Sequence, residues 1–188
     1  MSHKIDETKK EDLNQVLDRV TAWIENCDNK ASIILGCLGV IVGILFGTDY
    51  ISKFLKILAY MTDEISFGKA IFLILFVIAT LSFIAGAALL VMVLLAKTTT
   101  KDFDNKGIKK DSILFFSNIS SNKKLTDYRR KLANCSDNDY CDDIASQIYV
   151  CSLICTKKFA RYKAGLISTV ISLLFIGILA IIGQIVTK

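Results

Sequence analysis

Apolar and polar residues occupy separate stretches of this chain. Residues 31–47 form a 17-residue apolar run interrupted only by Ser32. Residues 70–96 and 164–186 give runs of 27 and 23 residues without a charge. A bilayer core takes about 20 such residues as a helix, so the pattern predicts three membrane spans. The first is short and the second is long enough to tilt. Before the first span, Leu13, Val16, Leu17, Val20, Trp23, Ile24 and Cys27 recur in steps of three and four, the stripe of an amphipathic helix. No glycine or proline separates this stripe from the span, so one helix is predicted from about residue 10 through the membrane.

A similar element precedes the third span. Asp137 and Asn138 offer N-caps, and Ile144, Ile148, Cys151, Ile154 or Cys155, Phe159 and Tyr162 keep helical spacing up to it. From Asp139 to Val186 such a helix would be about 70 Å long. Two stalks leaving one membrane face can pair as a bundle. Between them, residues 98–111 read as a linker containing Asn105 and Gly107, 112–119 as an apolar island, and 125–134 as a short basic helix. Residues 48–68 mix Ile51, Phe54, Leu55, Ile57, Leu58 and Tyr60 with Lys53 and Lys56, which suits a segment lying in the membrane interface. The expected fold is an all-α membrane protein with three transmembrane helices. The first and third extend into the cytosol as a helical stalk bundle with a small helical insert. Its parts are an N-terminal stalk (1–30), spans at 31–47, 70–96 and 164–186, a short external segment (48–69) and a cytosolic helical region (97–163).

Charge sets the expected orientation. Residues 97–163 hold fourteen Lys or Arg against eight acids, the 1–30 tail holds five, and 48–69 holds three. The positive-inside rule then places the tail and 97–163 in the cytosol and the C-terminus outside. The first span begins behind a tail with seven acids, unlike a secretory signal.

Composition narrows the chemistry. A single histidine, His3, excludes multi-histidine metal sites and leaves a hydrolytic triad with one unpromising candidate. Cys27, Cys37, Cys135, Cys141, Cys151 and Cys155 lack paired CxxC spacing, so no metal site is expected and the thiols read as small apolar residues. No catalytic residue is assigned and no cofactor is expected. The spans carry no charge, which argues against an ion or proton pathway through buried ionisable groups.

Three features remain. Gly39, Gly43 and Gly47 repeat every fourth residue in the first span and leave a groove for close helix approach, within the chain or between subunits. Asp28, in Asp28-Asn29-Lys30-Ala31, sits where the stalk meets the membrane; it suits either pairing with Lys157, Lys158 or Arg161 or a ligand role, while Lys30 can snorkel to headgroups. Finally, Lys109, Lys110, Lys123, Lys124, Arg129, Arg130, Lys131, Lys157, Lys158 and Arg161 are interspersed with Phe115, Phe116, Tyr128 and Tyr140. Basic groups with aromatic faces suit a nucleotide, and topology alone also explains the basic residues.

Taken in order, three stretches resemble one family, the transmembrane Pycsar effectors (PycTM) of bacterial antiphage defence. Asp28-Asn29-Lys30-Ala31 is similar to that family's D-x-K-A at the first span. Ile113-Leu114-Phe115-Phe116-Ser117-Asn118-Ile119 resembles its apolar-F-F-x-x-I segment. Asp142-Asp143-Ile144-Ala145-Ser146-Gln147-Ile148, with Lys157 and Lys158 following, resembles its D-x-x-x-Q-I…K run into the last span. The likeness covers the chain from about residue 15 onward; 98–111 and the cysteine-rich stretch 135–155 have no evident counterpart.

The resemblance implies a non-enzymatic effector in the bacterial inner membrane. It would sense a cyclic pyrimidine mononucleotide, cUMP or cCMP, and impair the bilayer, so that growth stops or the cell dies. In that reading Lys30, Lys157, Lys158 or Arg161 would meet the phosphate, the base would stack near Phe115 or Phe116, and Gln147 would belong to the same site. A homo-oligomer and the bilayer would be its partners, with no nucleic acid. The rival readings are an effector gated by a cyclic oligonucleotide and a constitutive membrane scaffold or accessory subunit without a small-molecule ligand.

Overall fold

The computed structural model describes residues 2–47, 49–95 and 111–187, with side chains from Lys9 onward. Among them the elements are all helical: α1 (Ser2–Gly47), α2 (Tyr50–Thr62), α3 (Phe67–Leu94), α4 (Phe116–Ser120), α5 (Leu125–Ala133) and α6 (Asp137–Val186). Three of them, α1, α3 and α6, are long and apolar enough to cross a membrane. The expected linker before Asp111, Lys109, Lys110 and the side chain of His3 lie outside the described residues.

Both long helices form without interruption, as a sequence lacking proline and internal breakers requires. Their starts differ from expectation. α1 begins at Ser2, eight residues before the apolar stripe would place it. α6 begins at Asp137 with Ser136 as its cap, rather than with Asp137 or Asn138. The Ser136 carbonyl accepts the Tyr140 N–H at 3.0 Å, and its hydroxyl accepts the Asp139 N–H at 3.2 Å. Asp139 returns the bond by accepting the Ser136 N–H at 3.3 Å. This reciprocal box satisfies two backbone donors that a helix start would otherwise leave open.

The chain divides into two compact units, Met1–Asn26 with Ala96–Lys158, and Cys27–Leu95 with Phe159–Lys188. We call them unit 1 and unit 2. α1 and α6 each contribute to both.

Unit 2 contains the three apolar helical stretches. α3 and α6 pack antiparallel along a seam of small and polar residues. A Cβ on Gly86 would lie 2.5 Å from the Thr169 hydroxyl and 2.9 Å from the Thr169 backbone nitrogen, so only glycine fits there. In lipid, where apolar side chains gain nothing by leaving the solvent, such close backbone approach and interhelical hydrogen bonds supply the attraction. The Ser82 and Ser168 hydroxyls are 3.1 Å apart, and Ser168 also donates to the Ser82 carbonyl at 2.9 Å. Thr169 and Ser172, both buried, donate back to Gly165 and Ser168 of their own helix.

At the other end of the seam lies α2. The 48–69 segment folds onto the spans: Ile57 and Met61 are buried with Phe72 and Leu179, and Phe54 stacks obliquely on Phe76 with centroids 5.0 Å apart. A Cβ on Gly183 would meet the Ile57 side chain at 2.5 Å. The outward face of α2 carries exposed Lys53, Lys56, Leu55 and Tyr60. α1 joins unit 2 through Cys27 and Ala31, both fully buried with Val93 against Tyr162. Beyond Ala31, none of the described side chains of α1 is buried. Gly36, Gly39, Gly43 and Gly47 have no atom within 4 Å of where a Cβ would stand. The intrachain glycine seam therefore lies at Gly86, Gly165 and Gly183, and the α1 glycines line no groove filled by the described residues.

Unit 1 holds the start of α1, the insert α4–α5 and the start of α6. Lys10 of α1 pairs with Asp137 at 2.5 Å and lies 6.0 Å from the Tyr140 ring centroid. Val20 and Ile144 are buried here.

Candidate functional site

The apolar island 112–119 becomes a tight turn followed by the short helix α4. Ser112 organises the turn: its hydroxyl oxygen accepts the N–H groups of Leu114 at 3.1 Å and Phe115 at 2.9 Å. A serine side chain satisfying backbone donors two and three residues ahead is a local alternative to helix bonding, and it brings the two phenylalanines together at the helix start. The Phe115 and Phe116 ring centroids lie 4.8 Å apart, tilted by 51°. Phe115 is half-buried, and Phe116 is 62% exposed.

α6 and α5 clasp this turn. Asp143 accepts the Ile113 N–H through Oδ2 at 2.7 Å. Gln147, one helical turn further and so on the same face, donates its amide N–H to the Ser112 hydroxyl at 3.2 Å. From α5, the Tyr128 hydroxyl donates to the Ile113 carbonyl at 3.0 Å. Ser112, Ile113 and Ile144 are buried around these bonds. Asp143 is fully buried, and its Oδ1 has no hydrogen-bond partner among the described residues. Leaving a buried acceptor unsatisfied costs about 1–3 kcal/mol, more for a charged one, so the position carries an appreciable penalty.

The expected ligand-binding residues fall into both units. Phe115, Phe116, Gln147, Lys157 and Lys158 are in unit 1; Lys30 and Arg161 are in unit 2. Within unit 1 the clasp bonds Gln147 to Ser112, which opens the turn that carries Phe115 and Phe116. Lys157 and Lys158, ten and eleven residues after Gln147, point in different directions: Lys157 is exposed and Lys158 is 8% exposed. In unit 2, Lys30 is exposed and Asp28 half-buried. Arg161 directs Nη1 at the Met92 carbonyl, 3.5 Å away, placing a cation at the C-terminal end of α3 where the helix dipole favours it. Other basic residues of the insert are engaged in ion pairs, Lys131 with Asp111 at 2.7 Å and Arg130 with Asp127 at 3.6 Å.

In unit 1, Cys141 and Cys155 are buried and Cys135 and Cys151 are half-buried. Burial, followed by the neighbouring Cys155, raises the Cys151 pKa above its ordinary value. Burial also raises that of Cys155, although nearby Lys158 pulls it the other way. Protonated thiols are poor nucleophiles and poor metal ligands. Among the described residues, no group of three or more His, Cys, Asp or Glu side chains could hold a metal ion.

Ser112, Asp143 and Tyr128 were not singled out as site residues by the sequence. A weak signal was present for two of them. Serine before an apolar turn is a common backbone-bonding position, and Asp143 and Gln147 share a helix face by their four-residue spacing. Tyr128 stood out only as one of the aromatic residues among the basic ones, with nothing to point to its bond with the turn.

A family model described as the Pycsar effector protein domain, PycTM, matches residues 12–183. The Pycsar effector protein GmPycTM of Gulbenkiania mobilis is similar to this chain, with 30% identity over 172 residues and 87% of each chain covered. No solved structure matches it.

Proposed function

We propose, from the premise that the chain belongs to the transmembrane Pycsar effector family of antiphage defence, that it senses cUMP or cCMP in the cytosol through unit 1 and impairs the inner membrane through unit 2. The orientation is N-terminus and 97–163 in the cytosol, C-terminus outside. The outcome is growth arrest or death of the infected cell.

The carrying observation is the clasped turn, which carries a half-buried and an exposed aromatic ring and is bonded through Ser112 to Gln147, on a helix that also bears Lys157. Flat rings suit a base, and an exposed ammonium suits a phosphate. Because α1 and α6 each contribute to both units, a ligand that prefers one arrangement of unit 1 can bias the membrane helices. The bias is limited to its difference in affinity for the two states. The α1 face bearing Gly39, Gly43 and Gly47 is where copies associate in the active state.

Thermal unfolding of the detergent-solubilised protein with cUMP, cCMP, cAMP, cGMP and cyclic dinucleotides tests the signal. A selective ligand at a hundredfold excess over Kd should stabilise it by about 2.7 kcal/mol. The same nucleotide should release dye from vesicles carrying the protein. A shift only with a cyclic dinucleotide would replace the signal. No shift with folded protein would favour a scaffold without a ligand.

A further inference from the structure

Among the described residues, Asp143 is the only buried carboxylate, and only one of its two oxygens has a partner. Oδ2 takes the Ile113 N–H. Anchoring that single N–H does not require a charge, since a neutral amide carbonyl of the same shape would accept it. A carboxylate oxygen accepts hydrogen bonds, so a donor suits Oδ1. One turn along α6, the Gln147 amide nitrogen uses one hydrogen on Ser112 and has a second to give. An acceptor and a donor thus lie one turn apart on one helix face, both bonded to the turn that carries Phe115.

We infer that Asp143 Oδ1 accepts an N–H from the base edge of a cyclic pyrimidine mononucleotide, with the Gln147 amide donating to the acceptor beside it. This rests on the signal proposed above and adds how the base is read. Uracil presents N3–H next to a carbonyl, and cytosine presents its exocyclic N–H next to the N3 acceptor. Either edge complements the pair, whereas a ligand offering only acceptors there would face the carboxylate unpaired.

Asp143 is fully buried and holds the Ile113 N–H, so a base reaches Oδ1 only after a rearrangement, which in this reading is movement of the turn off α6. The polar bonds from Asp143, Gln147 and Tyr128 that hold the turn are the ones that must rearrange. Ligand binding is thereby coupled to displacement of the Phe115–Phe116 turn, which gives the ligand the unequal affinity for two states that a switch needs.

The test compares the full-length protein's affinity for cUMP with N3-methyl-cUMP, and for cCMP with its N4,N4-dimethyl analogue. Methylation removes the donor without altering the protein. The expected result is at least a tenfold loss for the methylated form of whichever nucleotide binds. Asp143→Asn should produce a similar loss for the unmethylated nucleotide and make the protein indifferent to methylation. Its amide oxygen can still accept the Ile113 N–H, and its NH2 replaces an oxygen that bonds nothing in the chain. Equal wild-type affinity for methylated and unmethylated forms would overturn the assignment alone, leaving Oδ1 to a buried water. Failure of the wild type to bind either nucleotide would overturn the signal reading and this assignment with it. Should Asp143→Asn not fold, the two nucleotide pairs still decide.

Discussion

Gly86 and Gly165 face each other so closely that a Cβ on Gly86 would lie 3.0 Å from the Gly165 carbonyl oxygen, and one on Gly165 would lie 2.9 Å from the Gly86 carbonyl oxygen. Two helix backbones in contact, without intervening side chains, define where α3 and α6 cross. The nearest atoms to the missing Cβ of Gly86 include the Thr169 backbone nitrogen, which cannot swing aside. Gly86→Ala should therefore overpack the seam and lower stability by about 1–3 kcal/mol. Gly177→Ala, with nothing within 4 Å, should leave it unchanged. Thermal unfolding of the two variants in one detergent makes the comparison.

Gly43 presents the opposite situation. Among the described residues nothing packs within 4 Å of its missing Cβ, so Gly43→Leu should fold and retain ligand binding. If copies associate through this face, the leucine will block their approach. Dye release and cellular toxicity should then fall at least tenfold with unchanged nucleotide affinity. A toxic, ligand-responsive Gly43→Leu would remove this face from the mechanism.

The glycines also show what a sequence can convey. Four of them at three- and four-residue spacing in one helix make a visible pattern, whereas Gly86, Gly165 and Gly183 are scattered over two helices and acquire meaning only when α3 and α6 meet antiparallel. The three spans, the unbroken stalks and the Phe115–Phe116 segment were legible because each is a local run or period. Local chemistry was also written at Ser136-x-x-Asp139, although Asp137 and Asn138 drew attention first as caps. The clasp was not legible: the Asp143–Ile113 bond joins residues thirty apart, and the Tyr128–Ile113 bond joins α5 to the turn. No periodicity encodes such pairings.

Tyr128→Phe removes one hydroxyl and leaves the ring. The Ile113 carbonyl then loses its 3.0 Å donor, at an expected cost of about 0.5–1.5 kcal/mol. The effect should be local. Amide hydrogen exchange should quicken across residues 112–120, while the α3–α6 seam keeps its protection. Unchanged exchange in the turn would show that the tyrosine bond does not hold it.

Cys151 and Cys155 predict a pH dependence with a definite sign. Burial holds both thiols above their ordinary value of 9.0, so the folded chain keeps its protons to higher pH than the unfolded chain. Below that value both states are protonated and the stabilisation is fully present. As pH rises past it, the unfolded thiols ionise first and stability falls through the folded pKa values. Between pH 8 and 10.5 the wild-type melting temperature should fall more steeply than that of Cys151→Ala/Cys155→Ala. Parallel curves would remove these thiols as the cause.

Lys157 and Lys158 are adjacent in sequence but differ in setting, and their variants should separate binding from folding. Lys157 is exposed, so Lys157→Glu should lower the unliganded melting temperature less than Lys158→Glu does. If its ammonium meets the phosphate, reversing the charge should weaken the activating nucleotide at least tenfold, equivalent to about 1.4 kcal/mol. Lys158 is 8% exposed, and a carboxylate in its place would be buried among contacts made for a cation. Lys158→Glu should therefore lower the unliganded melting temperature itself. Titration of each variant with cUMP and cCMP after unliganded melts reads both effects. A stable Lys157→Glu with wild-type affinity would exclude that residue from the phosphate site.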